Sequence, residues 1–486
     1  MTAPRRHHLI LVLAPLAFAL AALLWPAPAP AQSGAPSLRL VGPAGEVTLL
    51  RYNGRVSLDV RTWIAATDGA FELRVARADY DTPPNIVQVD SVTGAVVRDL
   101  PEQVLAGWSG LERFVEVVLT GGAGQEVAAR RFTFCPNGWE HQRVDDSGPE
   151  LPRYPTFCGS FSPFTKGMVW GIEAGWAQRA LGGSDFRTPW LNVPRAGKFT
   201  LTVRITERYR DLLEISEADG AVSFPVTIKN GRRPRGLEFR AHRLSRPPAQ
   251  RVAVPDVMDP DPATLPDLVA LPLWEMAAFH RKSGDFLAFA ATPWNAGPAP
   301  LVVEGFRRPA EELMDAYQYF RDADGNVVGR APVGDMRFHA HPAHDHWHFL
   351  QFARFTLHDA ADMEVVRSRK QAYCLAPTDA IDLTVERASW GEGADLSTSC
   401  GDRSALWVRE VLQTGWGDTY FQFMPGQSFN ITNLPNGWYY ARVHVNPLGS
   451  LYETDLSNNV ESRLLHLGGR PGARRVLVAP WHGIDT

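Results

Sequence analysis

Lysine is scarce in this chain. Only Lys166, Lys198, Lys229, Lys282 and Lys370 stand among 49 basic residues, so arginine supplies nearly all the positive charge. Cysteine is scarcer still, with four in 486 residues. That excludes a disulfide-dense scaffold and a cysteine-rich zinc or iron–sulfur protein. Helical periodicity is nearly absent, and residues 308–319 (RPAEELMDAYQY) give the best candidate for a short helix. No long apolar run follows the N-terminus, so no later segment is expected to span a bilayer. A strong positive charge is missing as well. Without residues 1–31 the balance is 47 basic against 53 acidic residues, which gives no electrostatic case for nucleic acid.

The N-terminus reads as a secretory signal peptide over residues 1–31. Arg5 and Arg6 open it, Leu9 to Trp25 are apolar, and Ala29-Pro30-Ala31 forms a small-residue cleavage site. The apolar run is shorter than the ~20 residues that a spanning helix needs. The expectation is a secreted or periplasmic protein, with no membrane attachment after cleavage. In an exported chain an even number of cysteines points to disulfides, and neighbourhood favours Cys135–Cys158 and Cys374–Cys400. Each would close a loop of roughly 25 residues and stabilise by about 3 kcal/mol.

The remaining pattern is β. Val56, Leu58 and Val60 alternate along 54–64, and Phe71, Leu73 and Val75 along 70–76. Phe199, Leu201, Val203 and Ile205 alternate along 197–206, and Val222, Phe224, Val226 and Ile228 along 221–229. Period two bounded by glycine, proline and asparagine marks half-buried strands. An immunoglobulin-like β-sandwich is expected over residues 36–230, with 136–195 as a long loop region stapled by the first disulfide. Residues 231–265 are rich in arginine and proline and read as a linker. A second β-rich domain then runs over 266–467.

Five of the 14 histidines fall within ten residues, HAHPAHDHWH, at 339, 341, 344, 346 and 348. On a strand, His344, His346 and His348 share one face at Cβ spacings of ~7 Å. Three neutral imidazoles on one face make a metal site. Asp345 and Trp347 fall on the other face. Pro342 is expected to end the strand upstream and leave His339 and His341 in a different local geometry. Spacing alone leaves zinc, copper, iron and nickel all open.

The stretch HPAHDHWHF resembles the copper-binding segment of lysyl oxidases. His341, His344, His346 and His348 fall on its H-x-x-H-x-H-x-H pattern, and the last three match the family's copper ligands. RKQAYC (369–374), GDTYFQF (417–423) and VHVNPLGSLYETDLSNNV (443–460) resemble three further family segments in the same order. PDLV (266–269) and Asn295-Ala296-Gly297 match upstream. The resemblance covers residues 266–465 and implies a bacterial, secreted family member. It implies that Lys370 and Tyr420 cross-link into lysine tyrosylquinone, and that copper binds at His344, His346 and His348. It also implies a calcium site from Asp267, the Leu268 carbonyl, Glu453, Asp455, Asn458 and Asn459.

The implied activity is oxidative deamination of primary amines, either peptidyl lysine or small amines. Aldehyde, ammonia and hydrogen peroxide are the products. Asp418 is a candidate base, on the strand face that it shares with Tyr420. Arginine could not replace Lys370, because its guanidinium stays protonated. The departures are a low cysteine count and Ala343 where vertebrate members carry cysteine, so the fold must be held by its core. The competing reading is a secreted copper- or metal-binding protein without catalysis. A cupin-like oxygenase, which would need an acidic metal ligand, is a third.

Overall fold

Alternation in the sequence becomes paired strands. Phe71, Leu73 and Val75 are all fully buried on the strand Phe71–Ala76. Phe199, Leu201, Val203 and Ile205 are buried on Gly197–Ile205, and Phe224, Val226 and Ile228 on Ala221–Asn230. Each such side chain contributes roughly 1.5–3 kcal/mol by leaving water. Around residue 60 the inward face is as expected, with Val56, Leu58 and Val60 buried, but the strand is broken. Arg55–Ser57 and Trp63–Thr67 belong to different sheets.

This computed structural model describes residues 36–486 except 59, 139, 147, 182–188, 232–253, 341–344 and 391–395. The described chain is all-β, and Glu207–Leu213 is its one α-helix. Residues 36–486 form a single compact unit. Over residues 37–230 a seven-stranded sheet lies beside two four-stranded sheets, and Val47–Tyr52 pairs in parallel with Ala221–Asn230. Sheets of three to five strands make up the rest.

Two expectations fail. The helix over 308–319 is absent, and Leu313–Arg321 is a strand paired with Leu301–Phe306 on one side and Val327–His339 on the other. Met314, Ala316, Gln318 and Phe320 point inward with period two, so cross-strand pairing overrides the helix-forming Glu, Leu and Met. The region 136–195 is also more than loop. Gly167–Ile172 is a fully buried strand paired with Phe71–Ala76, and three further short strands flank it. Its alternation is hidden because a strand covered on both faces is continuously apolar.

Both disulfides are present, with Cα atoms 5.7 Å apart for Cys135–Cys158 and 6.0 Å for Cys374–Cys400. One hydrophobic cluster fills residues 38–228 and takes in Ala380 and Leu383. A second fills 268–467. A third joins Phe164 and Tyr80 to Trp274, Ile381, Phe421 and Trp481. The amides of Lys166 and Gly167 both donate to the Ile381 carbonyl, at 2.6 and 3.1 Å. Of the expected linker, Val254–Leu265 packs back on the second cluster's sheets, with the Val257 amide donating to the Arg330 carbonyl at 2.7 Å. No helix among the described residues is long and apolar enough to cross a membrane.

Candidate active site

The histidine segment forms the strand His346–Phe349, paired antiparallel with the end of Val327–His339. His339 stands opposite His346 in that register, and Arg337 opposite His348. The Nε2 atoms of His346 and His348 approach to 2.9 Å, so both imidazoles aim at one point. The His339 and His348 ring centroids are 5.5 Å apart. Trp347 lies on the opposite face, where Phe338 packs edge-on against it and its indole donates to the Asp402 carbonyl. The upstream strand does end at His339, whose local geometry thus differs from that of His346 and His348, yet the register sets it directly across from them. The cross-strand register that brings it back depends on the hairpin, which no motif in the segment announces. His341 and His344 lie outside the described residues.

The free edge of the His346–Phe349 strand is covered by the second disulfide and its neighbours. The Trp347 amide donates to the Cys400 carbonyl, and Phe349 exchanges two hydrogen bonds with Tyr373, of 2.7 and 3.0 Å. Cys374 and Cys400 thus bracket the strand, and the first of them fixes the segment that carries Lys370. The Lys370 backbone is also held, because its amide donates to the Ser368 hydroxyl, which donates in turn to the Gly426 carbonyl. Gly426 has φ of +87°, and its Cα lies so close that an added Cβ would sit 3.2 Å from the Lys370 Cβ.

Lys370 and Tyr420 meet in the core. Lys370 is 6% exposed and Tyr420 7%. The Lys370 Nζ lies 4.0 Å from the Tyr420 ring centroid. The Tyr420 backbone pairs with Ala291, and its hydroxyl accepts from the Cys374 amide and donates to the Cys374 carbonyl, at 3.1 and 3.2 Å. Burial lowers the Lys370 pKa to about 8, although Asp418 and Glu410 pull the other way. Burial pushes the Tyr420 phenol well up, with Asp418 adding to the shift. Burial lowers the His346 pKa, helped by the positive charge of Lys370, and this favours the neutral imidazole that ligates metals.

Asp418 is 1% exposed and not an exposed turn residue. One backbone amide, that of Ala376, donates to it, and its Oδ2 has no hydrogen-bond partner among the described residues. Burial raises its pKa well above the carboxylate range, and Lys370 opposes the shift. Sequence reasoning missed Glu410. It is wholly buried, and its two oxygens accept the amides of Phe349 (3.1 Å) and Leu375 (3.0 Å). It ties the histidine strand to the Cys374 segment. No spacing signal marks it, because its partners are backbone groups of distant segments.

A second polar cluster lies at Asp267, Leu268, Glu453, Asn458 and Asn459. Glu453 accepts from the Leu268 amide and from the side-chain amides of Asn446 and Asn459, at 2.9, 2.6 and 2.7 Å. Asn458 donates to Asp267 at 2.9 Å. Burial raises the pKa of both Asp267 and Glu453. The Oδ1 atoms of Asn458 and Asn459 are buried without a partner among the described residues. Asp455 is set apart, solvated and accepting from Ser457, though its charge reaches Asp267.

Among the described residues no three His, Cys, Asp or Glu side chains converge closely enough to hold a metal. The donor chemistry nevertheless fits copper, with two imidazole nitrogens converging beside a buried phenol and amine. The orphaned Asn458 and Asn459 oxygens beside two carboxyls fit a hard cation.

Residues 325–471 match the lysyl oxidase family. Lysyl oxidase homolog 1 of Homo sapiens is 31% identical over 132 residues, and so is that of Bos taurus. Each match takes in 27% of this chain and spans 20% of the relative's length. The family match encloses the histidine segment, Lys370, Glu410, Asp418, Tyr420 and the 453–459 stretch, and begins after Asp267 and Leu268.

Proposed function

We propose that this chain is a copper amine oxidase of the lysyl oxidase type, with residues 266–467 as its catalytic domain. It would be secreted through the signal peptide of residues 1–31. The observation that carries the reading is the Lys370–Tyr420 contact. Two residues 50 positions apart are buried together with nitrogen over ring at 4.0 Å, one strand away from the histidines. Cross-linked as lysine tyrosylquinone and with copper present, this pair would supply the oxidation of a primary amine by oxygen.

The chain's own residues have defined parts. His346 and His348, with His344, are the copper ligands of this reading. Lys370 is buried deeply enough to be substantially neutral near pH 8, and only a neutral amine can add to an oxidised ring. The Cys374 backbone fixes the Tyr420 hydroxyl and so the tilt of its ring. Asp418 holds a carboxyl oxygen free beside the pair and is the group best placed to take a proton from a bound amine substrate. Glu410 keeps the two segments in register. Asp267, Leu268, Glu453, Asn458 and Asn459 would hold calcium, with Asp455 adding charge at the rim. The substrate class is a primary amine, either peptidyl lysine or a small amine.

The test is peptide mass spectrometry of copper-loaded protein alongside a peroxide assay. A Lys370–Tyr420 cross-linked peptide together with amine-dependent peroxide supports the reading. Copper bound without any cross-link would favour a non-catalytic metal-binding protein. Replacing His346 or His348 by alanine should remove most of the bound copper, and full copper occupancy in the triple variant that also carries His344→Ala would refute the ligand assignment.

A further inference from the structure

Tyr373 has no part in the reading above, and it is fully buried against the reactive pair. Its ring meets the Tyr420 ring edge to face, with centroids 4.4 Å apart and planes at 67°. The Lys370 nitrogen lies 4.8 Å from the Tyr373 centroid as well as 4.0 Å from that of Tyr420. A cation within about 6 Å of an aromatic face is attracted by the ring quadrupole, more so when desolvated. One amine is therefore shared between two rings that pack on each other.

The Tyr373 ring is itself fixed. Its backbone is bonded twice to Phe349, next to His348, and Phe352 and Phe355 pack against its ring with centroids 5.1 and 6.4 Å away. The hydroxyl has no hydrogen-bond partner among the described residues, so what holds the Tyr373 side chain is contact with its ring. Two buried acids, Asp418 and Glu410, lie within electrostatic reach of the same amine, and whichever of them is ionised would draw the ammonium toward itself.

We infer that Tyr373 is a positioning residue whose ring face holds the Lys370 amine over Tyr420 and away from Asp418 and Glu410. The inference rests on the proposed Lys370–Tyr420 cofactor for its purpose, while the contact itself is independent of it. A merely structural role would depend on the shape of residue 373. A holding role depends on the electron density of its ring.

The experiment uses the full-length protein with Tyr373→Phe, Tyr373→Leu and a series of progressively fluorinated phenylalanines at position 373, which keep shape and weaken the ring quadrupole. Cross-link yield after copper loading is read by peptide mass spectrometry. Tyr373→Phe should retain at least about half the wild-type yield, and Tyr373→Leu at most about a tenth. The fluorinated series should fall stepwise. Wild-type yield in Tyr373→Leu, a Phe variant as poor as Leu, or a flat fluorinated series would each overturn the inference. If the Leu variant does not fold, the fluorinated series decides alone. If wild type itself forms no cross-link, the proposed function fails, and the Tyr373 contact is then tested in copper-free protein. There, acylation of Lys370 by a small reagent should quicken along the fluorinated series, and an unchanged rate would sink it.

Discussion

Two acidic clusters in the same half of the chain, one half-buried and one fully buried, have opposite chemistry. Around Glu453 the carboxyl oxygens are answered by neutral donors, the amides of Leu268, Asn446 and Asn459. Among the described residues no cationic side chain is bonded there, and the leftover atoms are acceptors, the Oδ1 oxygens of Asn458 and Asn459. Around Asp418 and Glu410 backbone amides of Phe349, Leu375 and Ala376 also answer the carboxyls, but an amine and two phenols lie beside them, and the unpartnered atoms among the described residues include a phenol, the Tyr373 hydroxyl, as well as Asp418 Oδ2 and Gln427 Oε1. An excess of acceptors is what a bare cation completes. A mixed set around an amine with a lowered pKa suits proton transfer and covalent chemistry. The same residue type, a carboxyl raised by desolvation, thus stands among surplus acceptors in one place and beside an amine with a lowered pKa in the other.

Lys370→Arg should separate the two clusters most sharply. Copper binding and the Glu453 cluster should be untouched, while the cross-linked peptide disappears and peroxide release falls to background, because a guanidinium cannot deprotonate to add to the ring. Tyr420→Phe should do the same by removing the phenol. Turnover persisting in Lys370→Arg would mean that the chemistry is a different one.

Glu453→Ala should act the other way, sparing the Lys370–Tyr420 contact but leaving three donors without their acceptor. Orphaned buried groups cost about 1–3 kcal/mol each, so a loss of about 3 kcal/mol or more in denaturant unfolding is expected. Chelation is the milder form of this test. If a hard cation occupies the cluster at a hundred times its Kd, its removal lowers stability by about 2.7 kcal/mol. The melting temperature should drop and recover on adding calcium, with copper content constant. No change on calcium addition would make the cluster a self-sufficient hydrogen-bonded turn.

What the sequence made legible differs between the clusters for a physical reason. Lys370, Tyr420, His346 and His348 stand in short ordered motifs, and the fold brings them together through the Cys374–Cys400 bracket. Asp267 and the 453–459 stretch were legible in the same way, and all but Asp455 share direct hydrogen bonds. Glu410 and Tyr373 were not, because their partners are backbone amides, carbonyls and ring faces supplied by distant segments. That His339 faces His346 was not legible, because hairpin register is a property of two strands. The Leu313–Arg321 strand was misread because helix propensity is a weaker force than pairing on both edges. Strand faces such as Phe71, Leu73 and Val75 were read correctly, since period-two burial is local.

The smallest expected effect concerns how dry the Lys370 site is. Its pKa falls from 10.5 to about 8 on folding. Below pH 8 the amine is charged in both states, and the full penalty for burying it is present. Between 8 and 10.5 the folded state has released a proton that the unfolded chain keeps, so the unfolded state binds more protons and stability rises with pH. Asp418 and Glu410 act oppositely, since carboxyls raised on folding lose their stabilising effect as pH climbs through the folded value. The measurement is therefore a difference, copper-free wild type against Lys370→Met, repeated in an Asp418→Asn background. In that background the carboxyl that raises the Lys370 pKa is gone, so the rise should begin below pH 8, and wild-type Lys370 should still gain about 2 kcal/mol relative to methionine from pH 8 to 10, at about 1.4 kcal/mol per pKa unit. A flat difference would mean that water reaches the amine, and then the contrast between a half-buried, cation-ready cluster and a dry, amine-bearing one would disappear.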